Sequence, residues 1–181
     1  MDTLSFLNNT IAHSYEKSIG QQYKIEYTKC AITDKKNILH IGCGAYPLTE
    51  IMYGQKLHAS ILGIDNNREV VRHAETVIQK KKLQEKVTIQ YGEGTHFPVQ
   101  QYDVIILSSC STPKLEILRH VVKNAKKGTT VIVRELETSL DNILTYIHDA
   151  PNIKLVQKIR HTTTILFLPT TWYSLHLQKV K

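Results

Sequence analysis

The sequence predicts an α/β fold: a doubly wound, mostly parallel sheet with an antiparallel C-terminal edge and short N-terminal helices. Three observations predict it. Apolar runs at residues 37–41, 60–64, 87–91, 104–107 and 129–133 alternate with stretches of helical periodicity, the pattern of repeated strand–helix crossovers. The run Val104-Ile105-Ile106-Leu107 is apolar at every position, as in a central parallel strand covered on both faces. After the last helical stretch the composition turns to strand formers, at 154–160, 164–168 and 173–180, which adds an antiparallel edge.

Taken in order, Leu4, Leu7, Ile11, Tyr15 and Ile19 are spaced by three and four and predict an amphipathic helix over 4–19 that Gly20 ends. Residues 21–30 read as a second short helix carrying Tyr23, Ile25 and Tyr27. After the strand at 37–41 comes Gly42-Cys43-Gly44, then a helix opened by Pro47 and running to 57. Proline suits the first helical position, where its missing N–H has no partner to lose. The strand at 60–64 ends in Asp65. Asn66 or Asn67 can cap the next helix, 68–83, whose Val70, Val71, Ala74, Val77 and Ile78 form one face. The strand at 87–91 runs into Gly92-Glu93-Gly94-Thr95. Beyond 104–107, Thr112-Pro113 opens a helix with a stripe of Leu115, Leu118, Val121, Val122 and Ala125, stopped by Gly128. The strand at 129–133 precedes a helix over 138–148, where Thr138 and Asp141 have capping-box spacing and Pro151 follows the end.

The ends of the first three strands carry matched chemistry. A G-x-G turn brings backbone N–H groups close to a ligand, and the helix after it points its positive end the same way. A dinucleotide fingerprint would place a third glycine at position 47, which is Pro47 here. An acid at the tip of the second strand, about 20 residues on, is where a ribose diol is held. Glu93 sets a second acid beside the same crevice.

The set G-C-G with a following P-L-T, then I-D, G-E-G and Tyr102-Asp103-Val104-Ile105-Ile106-Leu107 resembles the class I S-adenosylmethionine (SAM) methyltransferases, from Asp34 onward. Their Rossmann-like fold is the one predicted above. The loop G-x-G-x-x-P-L-T most resembles nicotianamine synthase, which transfers the aminocarboxypropyl group of SAM. A similar G-C-G-x-x-P-L occurs in the aminoglycoside-resistance ribosomal RNA methyltransferases. The resemblance implies SAM as cofactor. It implies that Gly42, Cys43, Gly44, Ala45 and Tyr46 hold the methionine part and Asp65 and Asn66 the ribose. Glu93, Gly94 and Thr95 would lie at the adenine, and Leu107 and Ser108 would face the transferred group. Helices before the first strand cover the cofactor in such enzymes, so Tyr23 is the candidate catalytic residue and Glu26 a candidate neighbour. The competing expectation is that Tyr23 and Tyr27 pack on the sheet.

Ser108-Ser109-Cys110 contains neither D-P-P-Y nor N-P-P-Y, which argues against base amino methylation by that device. Transfer from a sulfonium releases a neutral leaving group, so alignment of donor and acceptor can provide much of the rate. Cys110 is expected to be buried and inert.

The chain has 181 residues and reads as one SAM-binding domain, with 1–33 as an N-terminal helical lid. No run reaches membrane-span length and no signal peptide is visible. Cys30, Cys43 and Cys110 form no CxxC framework, which points to a reduced, cytoplasmic setting. The nine histidines show no metal spacing, so no metal is expected. A net charge of +7 permits attraction to RNA, although Lys80-Lys81-Lys82 reads first as a solvated helix end. The acceptor is not legible. The readings carried forward are a SAM-dependent methyltransferase acting on a small molecule or RNA, a nicotianamine-synthase-like aminocarboxypropyl transferase, and a non-catalytic nucleotide-binding Rossmann module.

Overall fold

The computed structural model describes residues 9–34, 36–165 and 168–181. Leu4 and Leu7 of the expected first helix lie outside them. The chain begins with α1 (Asn9–Lys29) and continues through β1 (Asn37–Ile41), α2 (Leu48–Lys56), β2 (Ser60–Asp65), α3 (Arg68–Lys80) and β3 (Val87–Tyr91). Then follow β4 (Val104–Leu107), α4 (Lys114–Asn124), β5 (Thr130–Leu136), a 3-10 turn (Glu137–Ser139), α5 (Leu140–Asp149), β6 (Ile153–Ile165) and β7 (Leu168–Lys179). The strands form one sheet in the order β3-β2-β1-β4-β5-β7-β6. The first five are parallel, and β7 runs antiparallel between β5 and β6. Strand order reverses between β1 and β4, where Ile41 lies level with Ile64 on one side and Leu107 on the other.

Because β-strand side chains alternate, the sheet has two buried faces. Ile38, Ile61, Ile106 and Ile132 pack beneath α1, α2 and α3. Leu39, Ile105, Leu107, Val131 and Val133 pack beneath α4 and α5. Asn67 caps α3 as expected, its side chain accepting from the N–H groups of Glu69 and Val70. That helix stops at Lys80, three residues early, where Lys82 turns to a φ of 55°. Lys81 is more than a solvated end, since its ammonium meets Glu16 of α1 at 2.5 Å.

Three local expectations are corrected by packing. Gly20 does not end a helix, and α1 passes straight through it. A Cβ at Gly20 would lie 2.9 Å from Met52 Sδ, so the glycine serves the close approach of α1 and α2. Thr138 and Asp141 form no capping box, because Thr138 lies inside the 3-10 turn and the N-cap falls on Ser139, which makes no side-chain cap bond. The three expected tail strands are two long ones, β6 and β7, paired from Ile153↔Lys179 to Ile165↔Leu168 with one irregularity between Leu155 and Gln157. The polar stretch 161–163, a break by its composition, is strand held by that pairing.

α1 is fastened to the sheet by a buried polar network. Glu26 is fully buried and accepts from Arg134 Nε and Nη2 at 2.8 and 2.6 Å, from Tyr53 Oη at 2.8 Å and from Ser174 Oγ at 2.5 Å. Arg134 Nη1 donates to Thr49 Oγ1 at 2.7 Å. Burial pushes the Glu26 carboxyl up, but Arg134 and these hydrogen bonds outweigh it and hold it below the ordinary value. His161 extends the network, with Nε2 3.0 Å from Ser174 Oγ, Nδ1 3.2 Å from Gln22 Oε1, and its ring stacked on Trp172 at 3.9 Å. Burial lowers the His161 pKa from 6.5 to about 4.

A depressed histidine favours the neutral form in the folded state. Its stabilising contribution is complete above pH 6.5 and is lost as pH falls towards 4. The midpoint of thermal unfolding is therefore expected to drop between pH 6.5 and 4. In His161→Asn that part of the drop should shrink, which unfolding scans across this window would measure.

Candidate active site at the carboxyl ends of β1 to β4

In an open parallel sheet a ligand lies beyond the carboxyl ends of the strands at the point where strand order reverses, here the ends of β1 and β4. β1 leads into Gly42 and Gly44, with φ of 83° and 71°, backbone that a residue bearing a Cβ adopts only at a cost. A Cβ at Gly42 would stand 2.7 Å from Ser111 Oγ and 3.2 Å from Ser108 Cβ. Gly42 and Gly44 remain partly exposed, whereas Cys43, Ala45 and Tyr46 are buried at 4% each. The loop thus turns its glycine backbone outward and its side chains into the core. Pro47 stands one residue before the first helical residue, as the N-cap of α2. α1 closes over the loop from behind, where the Tyr46 hydroxyl donates to the Glu16 carboxylate. Burial, then that hydrogen bond, raises the Tyr46 pKa.

The other strand ends converge on this loop. Asp65 at the tip of β2 accepts from Gly44 N–H at 3.2 Å through Oδ2 and from Asn67 N–H at 3.0 Å through Oδ1. Asn66 beside it is exposed. The turn after β3 presses on the end of β1, where a Cβ at Gly94 would lie 2.6 Å from Ile41 Cγ2. Glu93 accepts from the Tyr91 hydroxyl at 3.0 Å, and the Tyr91 ring lies under Arg68 at 4.3 Å. Thr95 is partly exposed, and its hydroxyl lies 3.2 Å from His96 Nδ1. Ser108 N–H donates to Ile41 O at 3.0 Å, and Ser108 is partly exposed. Leu107 is fully buried in the core below, so only its backbone can face a ligand. The ends of β2, β3 and β4 are therefore each bonded to, or packed against, the stretch Ile41–Gly44.

Tyr23 lies one layer above. Its ring meets Trp172 edge-on at 5.9 Å and sits 3.7 Å from the Arg134 guanidinium carbon. These contacts match the packing expectation, as does the edge-on contact of Tyr27 with Tyr53 at 5.5 Å. Cys110 is exposed in the turn after β4, which corrects the expectation of a buried thiol. Beside it Lys114 donates to Ser109 O at 2.7 Å and Arg134 O at 2.8 Å and meets Glu135 at 3.3 Å. Burial lowers the Lys114 pKa against the pull of Glu135. A cavity of about 310 Å³ lined by Asn37, Ser60 and Tyr102 lies at the opposite, amino ends of β1 and β2 and holds none of the expected residues.

The sequence reading missed the buried ion pair Glu26–Arg134 and the buried hydrogen-bonded pair His40–Glu50. The signal for Arg134 was present as a single cation inside the apolar strand V-I-V-R-E-L. Among the described residues no group of three or more His, Cys, Asp or Glu could hold a metal ion, and no helix is long and apolar enough to cross a membrane.

The loop fits SAM by its own geometry, with outward-facing glycine backbone, a helix N-terminus behind it and a carboxylate at the tip of β2. No curated protein matches the chain. Among solved structures it is similar to a mutant of MtNAS in complex with S-adenosylmethionine, at TM-score 0.74 and 16% identity over 99% of this chain and 70% of that one. A second structure of that mutant gives TM-score 0.72 and 16% identity over 93% of this chain, which spans 62% of its length. Precorrin-6y C5,15-methyltransferase from Geobacter metallireducens GS-15 matches at TM-score 0.67 and 11% identity, over 88% of this chain and 87% of that one. At these identities the likeness is one of fold. The family model described as a methyltransferase domain matches residues 32–172, from just before β1 into β7, and so the chain belongs to the methyltransferase-domain family, the class I SAM-dependent transferases.

Proposed function

We propose that the crevice above Ile41–Gly44 holds SAM for transfer of its methyl group to an acceptor lying beyond the ends of β4 and β5. One observation carries this reading: Gly42 and Gly44 alone of residues 41–50 stay partly exposed, and Asp65 already reaches the Gly44 N–H. SAM supplies a methyl group on a sulfonium, whose departure leaves a neutral thioether. The chain binds and orients. Gly42 and Gly44 admit the methionine part to the backbone, while Cys43, Ala45 and Tyr46 shape the loop from behind. Asp65 and Asn66 take the ribose hydroxyls, and Glu93, Gly94 and Thr95 border the adenine. Leu107 and Ser108 form the floor beneath the transferred group through their backbone. Tyr23 stands on the acceptor side with its ring fixed by Arg134 and Trp172. Residues 1–181 act as one domain with 1–33 as its helical lid. The acceptor is a small molecule or RNA, and the net charge of +7 permits attraction to the latter. The setting is cytoplasmic, in keeping with the absence of a disulfide among Cys30, Cys43 and Cys110.

Aminocarboxypropyl transfer is the second reading, favoured by the P-L-T that follows the loop and by the likeness to MtNAS over 99% of this chain. Product analysis separates the two: S-adenosylhomocysteine marks methyl transfer and methylthioadenosine the alternative. Calorimetric titration with SAM and NAD side by side tests the site itself. Tight NAD binding without SAM binding would sink both readings and leave a nucleotide-binding module.

Asp65→Ala is expected to weaken SAM binding with the fold intact. Each charge-assisted bond from a ribose hydroxyl contributes about 1.5–3 kcal/mol, so the loss of one weakens binding by roughly tenfold or more. Unchanged affinity in the folded variant removes Asp65 from the ribose.

A further inference from the structure

His40 and Glu50 are fully enclosed in the core, at 3% and 0% exposure, with Nδ1 and Oε1 2.7 Å apart. His40 is the second residue from the end of β1, and Glu50 is the third residue of α2. Their bond therefore closes a short circuit around the whole glycine turn. The carboxylate lies in the slot that Gly63 opens opposite His40 in the sheet, where a Cβ would stand 2.4 Å from Glu50 Oε1, 2.9 Å from Ile89 Cδ1 and 3.0 Å from Cys43 Cβ. Among the described residues His40 Nε2 and Glu50 Oε2 are buried without a hydrogen-bond partner.

We propose that His40 and Glu50 are positioning residues for the SAM loop, setting the first turn of α2 against β1 and thereby the course of Gly42 and Gly44. The role rests on SAM being held at this loop. Apolar contacts between α2 and the sheet are non-directional and tolerate small slides. A hydrogen bond between two enclosed side chains does not, because its strength falls steeply with distance and angle. Thr49, the neighbouring residue, is tied to Arg134 at 2.7 Å, so the turn is held from two sides. A buried hydrogen-bonded pair is a poor source of net stability, since replacing both partners by apolar residues of similar shape is often nearly neutral. Its removal should therefore be read in binding rather than in melting.

The test compares SAM affinity and melting temperature in the native chain, in His40→Leu combined with Glu50→Met, and in Glu50→Gln. The double variant is expected to melt within a few degrees of the native chain or above it, yet to bind SAM about tenfold or more weakly. Glu50→Gln, which keeps an acceptor for His40, is expected to stay within about threefold of native affinity. Native affinity in the folded double variant overturns the proposal, as does a loss in Glu50→Gln as large as in the double variant. If the double variant does not fold, His40→Val with Glu50→Met is the second apolar filling. Failure of both to fold overturns the proposal by showing a stability role instead. A native chain that takes up no SAM overturns the premise, an outcome distinct from equal binding in native and variant.

Discussion

Gly44→Val is expected to abolish SAM binding while most of the core still forms. Gly44 has a φ of 71° and partial exposure, and its N–H is already directed to Asp65 at 3.2 Å. A β-branched residue is strained at that dihedral and would place two methyl groups beside the backbone that a ligand must approach. The core is built elsewhere, from Ile38, Ile61 and Ile106 on one face of the sheet and Leu39, Ile105 and Val131 on the other. Affinity should fall by roughly 100-fold or more, while the local strain takes about 1–3 kcal/mol from stability. Melting temperature and SAM affinity measured on one sample decide the matter. A destabilised variant whose folded fraction binds SAM normally would show that Gly44 serves packing alone.

Arg134→Met is expected to produce the largest loss of stability, about 3–5 kcal/mol. The substitution leaves the Glu26 carboxylate at 0% exposure with Tyr53 and Ser174 but no cation, and an uncompensated buried charge is far costlier than a missing pair. For a chain of this size that corresponds to a fall in melting temperature of about 6–20 °C. Glu26→Gln combined with Arg134→Met removes both charges and should recover a large part of the loss, so a double-mutant cycle by chemical denaturation gives the coupling directly. Additive losses would mean that the network is not a unit. Since Glu26 is on α1, the single variant should also loosen the helix that backs the cofactor loop, visible as faster amide exchange in α1.

The sequence alone determined the parts whose physics is local. β1, its G-C-G turn, the tips at Asp65 and Glu93, and the Asn67 cap were legible because strand burial, turn chemistry and capping act within a few residues. Those parts also carry the proposed cofactor contacts, so most of the candidate site was visible before the fold was. The tertiary structure decided the rest. Gly20 looks like a helix stop until Met52 is placed against it. The tail reads as three strands until β6 and β7 are paired along their length, and the general tendency of cysteine to be buried gives way at Cys110 to the exposed turn it occupies. Glu26 and Arg134 meet across 108 residues, and His40 finds Glu50 only because Gly63 leaves room beside it. Periodicity tells which residues enter a core but not which charges meet there. That choice follows from strand order and from how closely each helix approaches the sheet, and both are set by the packing of the whole chain.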